Sequence, residues 1–449
     1  MELLPAFIRR RIAHRPNLLK IVDNIGWLFF DKVLRMGVGL LIGVWIARYL
    51  GPEQFGLLNF TAALIGLFGA LASMGLQGIV VREIVRDPAS SEEILGTAAA
   101  LQLFGGILAY ILLLATVAWI RPDDRMTQLV AAILGAMVLL KVSEVAGLWF
   151  ESQVQSKYTV MVQNGVFLLF AGIKVMLILN GSSVTSFAWA MLAEGIVVAL
   201  ALTLALNQLG PSLVSLRVNK VKALELLHAG WPLMLSSIAV MIYMKIDQIM
   251  IGQMLSNSAV GVYSAAVRIS EIWYFIATAV AASVLPTILQ AKKNNPAQYR
   301  EHLQRLFDLM TWLAVVLALS ITFFSSQLVT VLFGAEYKEA SGILIIHVWA
   351  TVFVFLGVAG GTWFLAENQQ VISLQRTAIG ALTNVVLNFF LIPLMGVVGA
   401  AWATLISYAV AAMLSDAMQL ATRDLFMMKL KSFNLIGSFH RLTTSNYSN

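Results

Sequence analysis

Twelve apolar runs, each long enough to cross a bilayer as a helix, divide the sequence between residues 24 and 420, and they leave few folds open. The first two cover 24–47 and 57–80, and the last covers 397–420. A hydrocarbon layer of about 30 Å takes about 20 helical residues. Barrel strands alternate over about 10 residues, whereas these runs are continuously apolar, so helices are expected. Composition agrees, because 59% of the 449 residues are apolar and only 12% are charged, where soluble domains carry about 25%. The expected fold is an all-α polytopic membrane protein with about 12 transmembrane helices.

Charge in the loops sets the orientation. Nineteen of the 30 Lys and Arg residues fall on the side that holds both termini, and four (Arg48, Arg121, Arg125, Lys338) on the other. Both termini are therefore expected in the cytoplasm, and the net charge of +7 reads as a topology signal with attraction to membrane lipid headgroups, not as a nucleic-acid surface. Arg9, Arg10, Arg11 and Arg15 precede a first span that carries charges of its own, unlike a cleavable signal. The absence of cysteine excludes disulfides, thiol nucleophiles and iron–sulfur sites. No Gly-Lys-Ser/Thr triplet occurs, so ATP is not expected as the fuel. No metal site or cofactor is expected.

The organisation expected along the chain is a basic amino terminus (1–23), a six-helix bundle (24–209), a polar linker (210–226), a second six-helix bundle (227–420) and a cytoplasmic tail (421–449) that is expected to be disordered. A shift of 213 residues lays Ala188-Trp189-Ala190-Met191-Leu192 on Ala401-Trp402-Ala403-Thr404-Leu405. A shift of 205 lays Leu50 and Gly56 on Leu255 and Gly261. Two repeats of six spans keep the same orientation, so a pseudo-two-fold axis along the membrane normal and a mid-membrane cavity follow.

The segment Ala47-Arg48-Tyr49-Leu50-Gly51-Pro52-Glu53-Gln54-Phe55-Gly56, followed by Gly75-Leu76 and Val81-Arg82-Glu83, resembles the amino-terminal signature of bacterial polysaccharide-biosynthesis membrane proteins. Residues 245–252 and 260–271 are similar to that family as well. The resemblance is to Wzx-type (O-antigen) flippases of the multidrug/oligosaccharidyl-lipid/polysaccharide exporter superfamily. It implies a MATE-like fold and no enzymatic activity. The implied task is carriage of polyprenyl (undecaprenyl) pyrophosphate-linked oligosaccharide to the outer leaflet of the bacterial inner membrane. Partners expected on the same ground are a polysaccharide polymerase and a chain-length regulator. The alternative is an ion-coupled organic-cation antiporter of the same superfamily, which the interleaved Lys and Arg disfavour.

Charges within the spans are the candidate site, since each costs about 2.5–3.5 kcal/mol at mid-bilayer on insertion scales. Lys32, Arg35, Lys141, Lys174, Lys245 and Arg268 are expected to bind substrate, in a hydrated cationic cavity that receives the pyrophosphate. Asp31, Glu144, Glu194, Asp247 and Glu271 are candidate carriers of a coupling H+ or Na+. Three pairs can neutralise themselves along one helix, Asp31 with Arg35, Lys141 with Glu144 and Arg268 with Glu271. Lys174 is expected to snorkel or to reach Glu194. Arg376 reads as a snorkelling anchor, Asp416 as an unremarkable helix-end residue, and His347, Asn384 and Asn388 as packing residues.

Overall fold

The computed structural model describes residues 16–443, with side chains from residue 23. The basic residues Arg9, Arg10, Arg11 and Arg15 lie outside the described residues. Among the described residues there are helices and no strands. In chain order the helices are α1 (Pro16–Ala72), α2 (Gln77–Arg86), α3 (Ser91–Ile120), α4 (Arg125–Gly135), α5 (Glu144–Ser152), α6 (Ser156–Leu179), α7 (Val184–Leu209) and α8 (Lys220–Met254). They continue with α9 (Asn257–Glu271), α10 (Tyr274–Asn294), α11 (Pro296–Phe333), α12 (Ala340–His347), α13 (Ala350–Ala366), α14 (Gln370–Met395) and α15 (Val397–Ala409). A π-helical turn, Val410–Leu414, carries α15 on to Ala417, and α16 (Arg423–Ser432) and α17 (Leu435–Thr443) close the chain.

Eleven helical stretches among the described residues are long and apolar enough to span a membrane. The first, Asp23–Arg86, is 64 residues and contains both of the first two expected spans. At 1.5 Å per residue it would run about 96 Å if straight, about three hydrocarbon thicknesses. It is broken at Gly51, whose φ of 69° only glycine adopts freely, ahead of Pro52, whose ring disfavours a helical residue before it. The expected count of twelve thus corresponds to eleven helical stretches with one of them double.

Two compact units emerge, and the boundary falls at Met241/Ile242, inside α8, instead of in the polar linker. Unit 1 holds 57–241 together with the chain before Gly51, and unit 2 holds 242–449 together with the short segment Gly51–Gly56. In unit 1 the turn after α1 packs backbone to backbone on α8. A Cβ on Gly75, itself at φ 66°, would stand 2.4 Å from Gly230 O. The core below it is apolar, with Leu76, Ile79, Leu95, Ala98 and Leu226 buried.

In unit 2, Gly56 and Gly261, the residues matched by the 205-residue shift, lie against each other. A Cβ on Gly56 would fall 1.7 Å from Asn257 O, and one on Gly261 would fall 2.0 Å from Pro52 O. The side of 51–56 is held by Phe55, edge-on to Tyr337 with ring centroids 6.2 Å apart. Phe307, Met310, Phe355 and Phe364 fill the core between α10, α11 and α13. Asn388 donates to Asn384 Oδ1 at 2.9 Å, and Asn384 donates to Ser407 Oγ at 3.1 Å, so two amides expected to pack do so as an interhelical hydrogen-bonded chain.

The tail departs from expectation. Residues 423–443 form α16 and α17 rather than disordered chain. The physical reason is a set of polar partners that composition does not display. Lys429 is completely buried, its ammonium bound to Asp416 and to Ala412 O. Arg441 grips the buried Asp308 with two nitrogens, at 2.7 and 2.9 Å.

Candidate functional site

A cavity of about 610 Å³ opens within unit 1. Its walls come from α1 and the turn after it (Ile65 to Ser73), the start of α2 (Gln77), the segment Met137–Glu144, α6 (Gln163), α7 (Gly195 to Leu202) and α8 (Ser236 to Met241). Hydroxyls and amides from Ser73, Gln77, Gln163, Ser236 and Ser237 give it a polar lining within apolar helices. Its charged feature is the pair Lys141 and Glu144, with Nζ to Oε1 at 2.6 Å and both side chains about a third exposed (32% and 35%).

That pair exists because of local backbone geometry. Ala136–Ser143 is a 3₁₀ helix eight residues long, inside the apolar run 129–150 that is expected to be one span. In a 3₁₀ helix residues i and i+3 eclipse, and runs beyond 3–4 residues are uncommon. Lys141 is therefore set directly over Glu144, the first residue of α5, where the helix dipole favours an acid. Close approach of α3 holds the segment, since a Cβ on Gly106 would stand 3.0 Å from Val138 O. Gln77 donates to the second oxygen of Glu144 at 3.4 Å.

Other sequence-predicted residues of unit 1 also meet carboxylates. Arg35 binds Asp31 at 2.7 Å along α1 and donates to Gln163 Oε1 at 3.3 Å, which ties this pair to a wall residue of the cavity. Lys174 crosses from α6 to Glu194 on α7 at 2.6 Å. Lys32 is exposed and makes no ion pair among the described residues. Arg35, Lys141 and Lys174 thus each carry a carboxylate partner, the first two through the local pairs that helical spacing allows and Lys174 through the Glu194 alternative.

In unit 2 Lys245 reaches Glu271 at 3.5 Å. This contact runs between helices, from α8 to α9. Asp247, two residues from Lys245, faces elsewhere as a helical 200° turn requires. It is buried and accepts hydrogen bonds from the hydroxyl of Tyr263, from Thr404 Oγ1 at 3.4 Å and from the Gln248 amide at 2.7 Å. Of the five candidate coupling acids it is the one whose hydrogen-bond partners are all uncharged. His347 is buried, its Nδ1 3.0 Å from Ser270 Oγ and its ring edge-on to Tyr263.

Arg376 corrects the expectation of a snorkelling anchor. It turns inward, donates from Nη2 to Gly357 O at 2.9 Å and lies over the Phe364 ring at 4.6 Å. Sequence reasoning missed Gln77 and Gln163, because nothing in the sequence shows which helices face the cavity. It missed Lys429 by counting it as a loop cation.

Comparison with known proteins adds to this geometry. A family model described as "Polysaccharide biosynthesis protein" matches residues 45–342. The chain is 28% identical over 388 residues to the "Probable low-salt glycan biosynthesis flippase Agl15" of Haloferax volcanii, covering 85% of this chain and 80% of that protein. It is 21% identical over 399 residues to the "Capsular polysaccharide biosynthesis protein CapF" of Staphylococcus aureus, covering 87% and 97%. An inward-facing multidrug resistance MATE family transporter of the MOP superfamily superposes with a TM-score of 0.68 at 17% identity, over 90% of this chain and 96% of that one. The lipid II flippase MurJ, in an inward closed conformation, gives 0.68 at 14% identity, over 93% and 92%. At these identities the two solved structures establish a shared MATE-like fold.

Proposed function

Because the chain belongs to the polysaccharide biosynthesis protein family, we propose that it is a flippase that carries a lipid-linked glycan across the membrane and catalyses no covalent chemistry. The finer reading is that the cargo is a polyprenyl pyrophosphate-linked oligosaccharide, moved from the cytoplasmic to the outer leaflet of a bacterial inner membrane by alternating access, for O-antigen or a related surface polysaccharide. The observation that carries the reading is the Lys141–Glu144 pair in the polar cavity of unit 1.

An anionic headgroup entering hydrocarbon unaided meets a prohibitive desolvation cost. In the cavity it exchanges for Glu144 as the counter-ion of Lys141, so the ammonium is never left without an anion. Glu144 keeps the Gln77 amide as a donor while it is displaced. Sugar hydroxyls find the serine and glutamine lining, and the lipid tail stays in the bilayer. Asp247, buried among neutral donors, is the strongest candidate for the acid that takes up H+ or Na+, since no fixed cation hydrogen-bonds to it to hold it ionised.

The test uses the purified protein in vesicles that contain lipid-linked oligosaccharide, with the outward-facing glycan scored by a membrane-impermeant lectin. A charge-assisted hydrogen bond is worth about 1.5–3 kcal/mol, so Lys141→Gln slows transport by roughly 10- to 100-fold at unchanged protein level. Glu144→Gln removes the competing anion and tightens headgroup binding. Wild-type transport by Lys141→Gln would overturn the reading. Protection of cells from cationic dyes, with no glycan transport, would favour the antiporter instead.

A further inference from the structure

The charges and apolar side chains of α16 and α17 remain outside the transport reading, and their arrangement is the reverse of a soluble helix hairpin. In α17 the buried residue is a serine, Ser438, which donates to Asp308, while Ile436 is 86% exposed and Phe439 57% exposed. On α16 the buried stripe is Leu425, Lys429 and Ser432, and the outer face presents Arg423, Met427, Leu430 and Lys431. Water does not favour a surface of that kind, whereas a bilayer interface does.

The path of the tail places this face at the right level. α11 has 38 residues, about 57 Å, and so outruns the hydrocarbon layer. α16 runs beside its projecting end, with Asp424 bound to Arg300 and the carbonyl of Met428 bound to Gln304. It then heads along α11 towards the membrane, where the Leu435 carbonyl accepts from Trp312 Nε1 at 3.1 Å and Phe439 lies 5.8 Å from the Trp312 ring. Tryptophan of this kind marks the interface. Arg423 and Lys431 are exposed and have no ion-pair partner among the described residues. Lys431 lines an open hollow of about 590 Å³ between α11 and the tail, together with Glu301, the Arg300–Asp424 pair and Arg441, which is held by Asp308.

We propose that α16 and α17 form an interfacial foot that binds anionic phospholipid, with Ile436 and Phe439 sunk among the acyl chains and Arg423 and Lys431 on the phosphates. The inference is independent of what the protein carries. The lipid leaflet is the occupant argued for because the surface joins a membrane span six residues earlier, at Ala417, and couples apolar exposure to unneutralised positive charge. The foot ties the projecting part of α11 to the lipid surface through Asp424, Met428 and Leu435.

The chain has no cysteine, so one introduced thiol is a unique reporter. Ile436→Cys and Phe439→Cys, spin-labelled in full-length protein in nanodiscs, are expected to collide with oxygen more often than with an aqueous nickel chelate. Gln298→Cys, on the projecting part of α11, should show the opposite. With a fluorophore on Ile436→Cys, energy transfer to headgroup-labelled phosphatidylglycerol should exceed that to labelled phosphatidylcholine. The enrichment should fall about fivefold for each of Arg423→Gln and Lys431→Gln. Labels at 436 and 439 that favour the nickel chelate, equal transfer to the two lipids, or label–label broadening from a second copy would each overturn the proposal.

Discussion

Lys429 shows how a single side chain can change the meaning of a segment. Counted by position it is one more basic residue beyond the last span, yet its ammonium is fully enclosed against Asp416. Removing one member of a buried pair strands the other, at a cost of about 3–5 kcal/mol. Asp416→Ala should therefore lower the unfolding midpoint strongly, and Asp416→Leu combined with Lys429→Met should restore most of it, as read by thermal unfolding in detergent. Burial pushes the Lys429 ammonium down to about 8, with Asp416 opposing that and Arg376 adding to it. A lysine lowered on docking releases its proton first in the docked state, so between about pH 8 and the unfolded value of 10.5 docking strengthens as pH rises. Limited proteolysis of the tail should be slower at the upper end of that window than below it. The local pairs Asp31–Arg35 and Lys141–Glu144 were legible, because helical spacing alone brings i,i+3 and i,i+4 residues together. Lys245–Glu271, Arg376 and Lys429 were not, because each depends on which helix lies opposite.

At the scale of elements, the spans were readable from hydropathy because lipid demands continuous apolar helix. What hydropathy could not show is the state of the backbone inside a span. Ala136–Ser143 has the composition of ordinary transmembrane helix and is 3₁₀. Relative to an α-helix it turns about 20° more per residue, enough over its length to re-aim Lys141. Glycine positions are a second element-scale feature, and they carry a prediction. Ala at Gly56 or Gly261 would press a methyl group into facing backbone, which cannot yield as a side chain does. Overpacking costs about 1–3 kcal/mol where side chains can move, so both variants should show poor yields of monodisperse protein by fluorescence-detected size exclusion. Gly342→Ala, with open space around it on α12, should be neutral or gain up to about 1 kcal/mol. The tail hairpin was illegible for a related reason, since its stability comes from Asp308 and Asp416 on other helices rather than from its own sequence.

For the molecule as a whole, nineteen basic residues on one side against four on the other predict which way the protein is oriented across the membrane. A fluorescent protein fused after Asn449 should fold and fluoresce, and alkaline phosphatase at the same place should stay inactive; the reverse pattern would invert the topology. Transport in vesicles should proceed without nucleotide, and an ionophore that collapses the coupling gradient should slow it, whereas Asp247→Asn should lose that sensitivity. The segment Gly51–Gly56 leads to a different kind of constraint, one of timing. It leaves the ribosome some 200 residues before Asn257 and Gly261, against which it packs. At about 5–20 residues per second that is a wait of roughly 10–40 s. During that interval an inserted nascent chain holds a backbone crossing whose later-born partner has yet to be made.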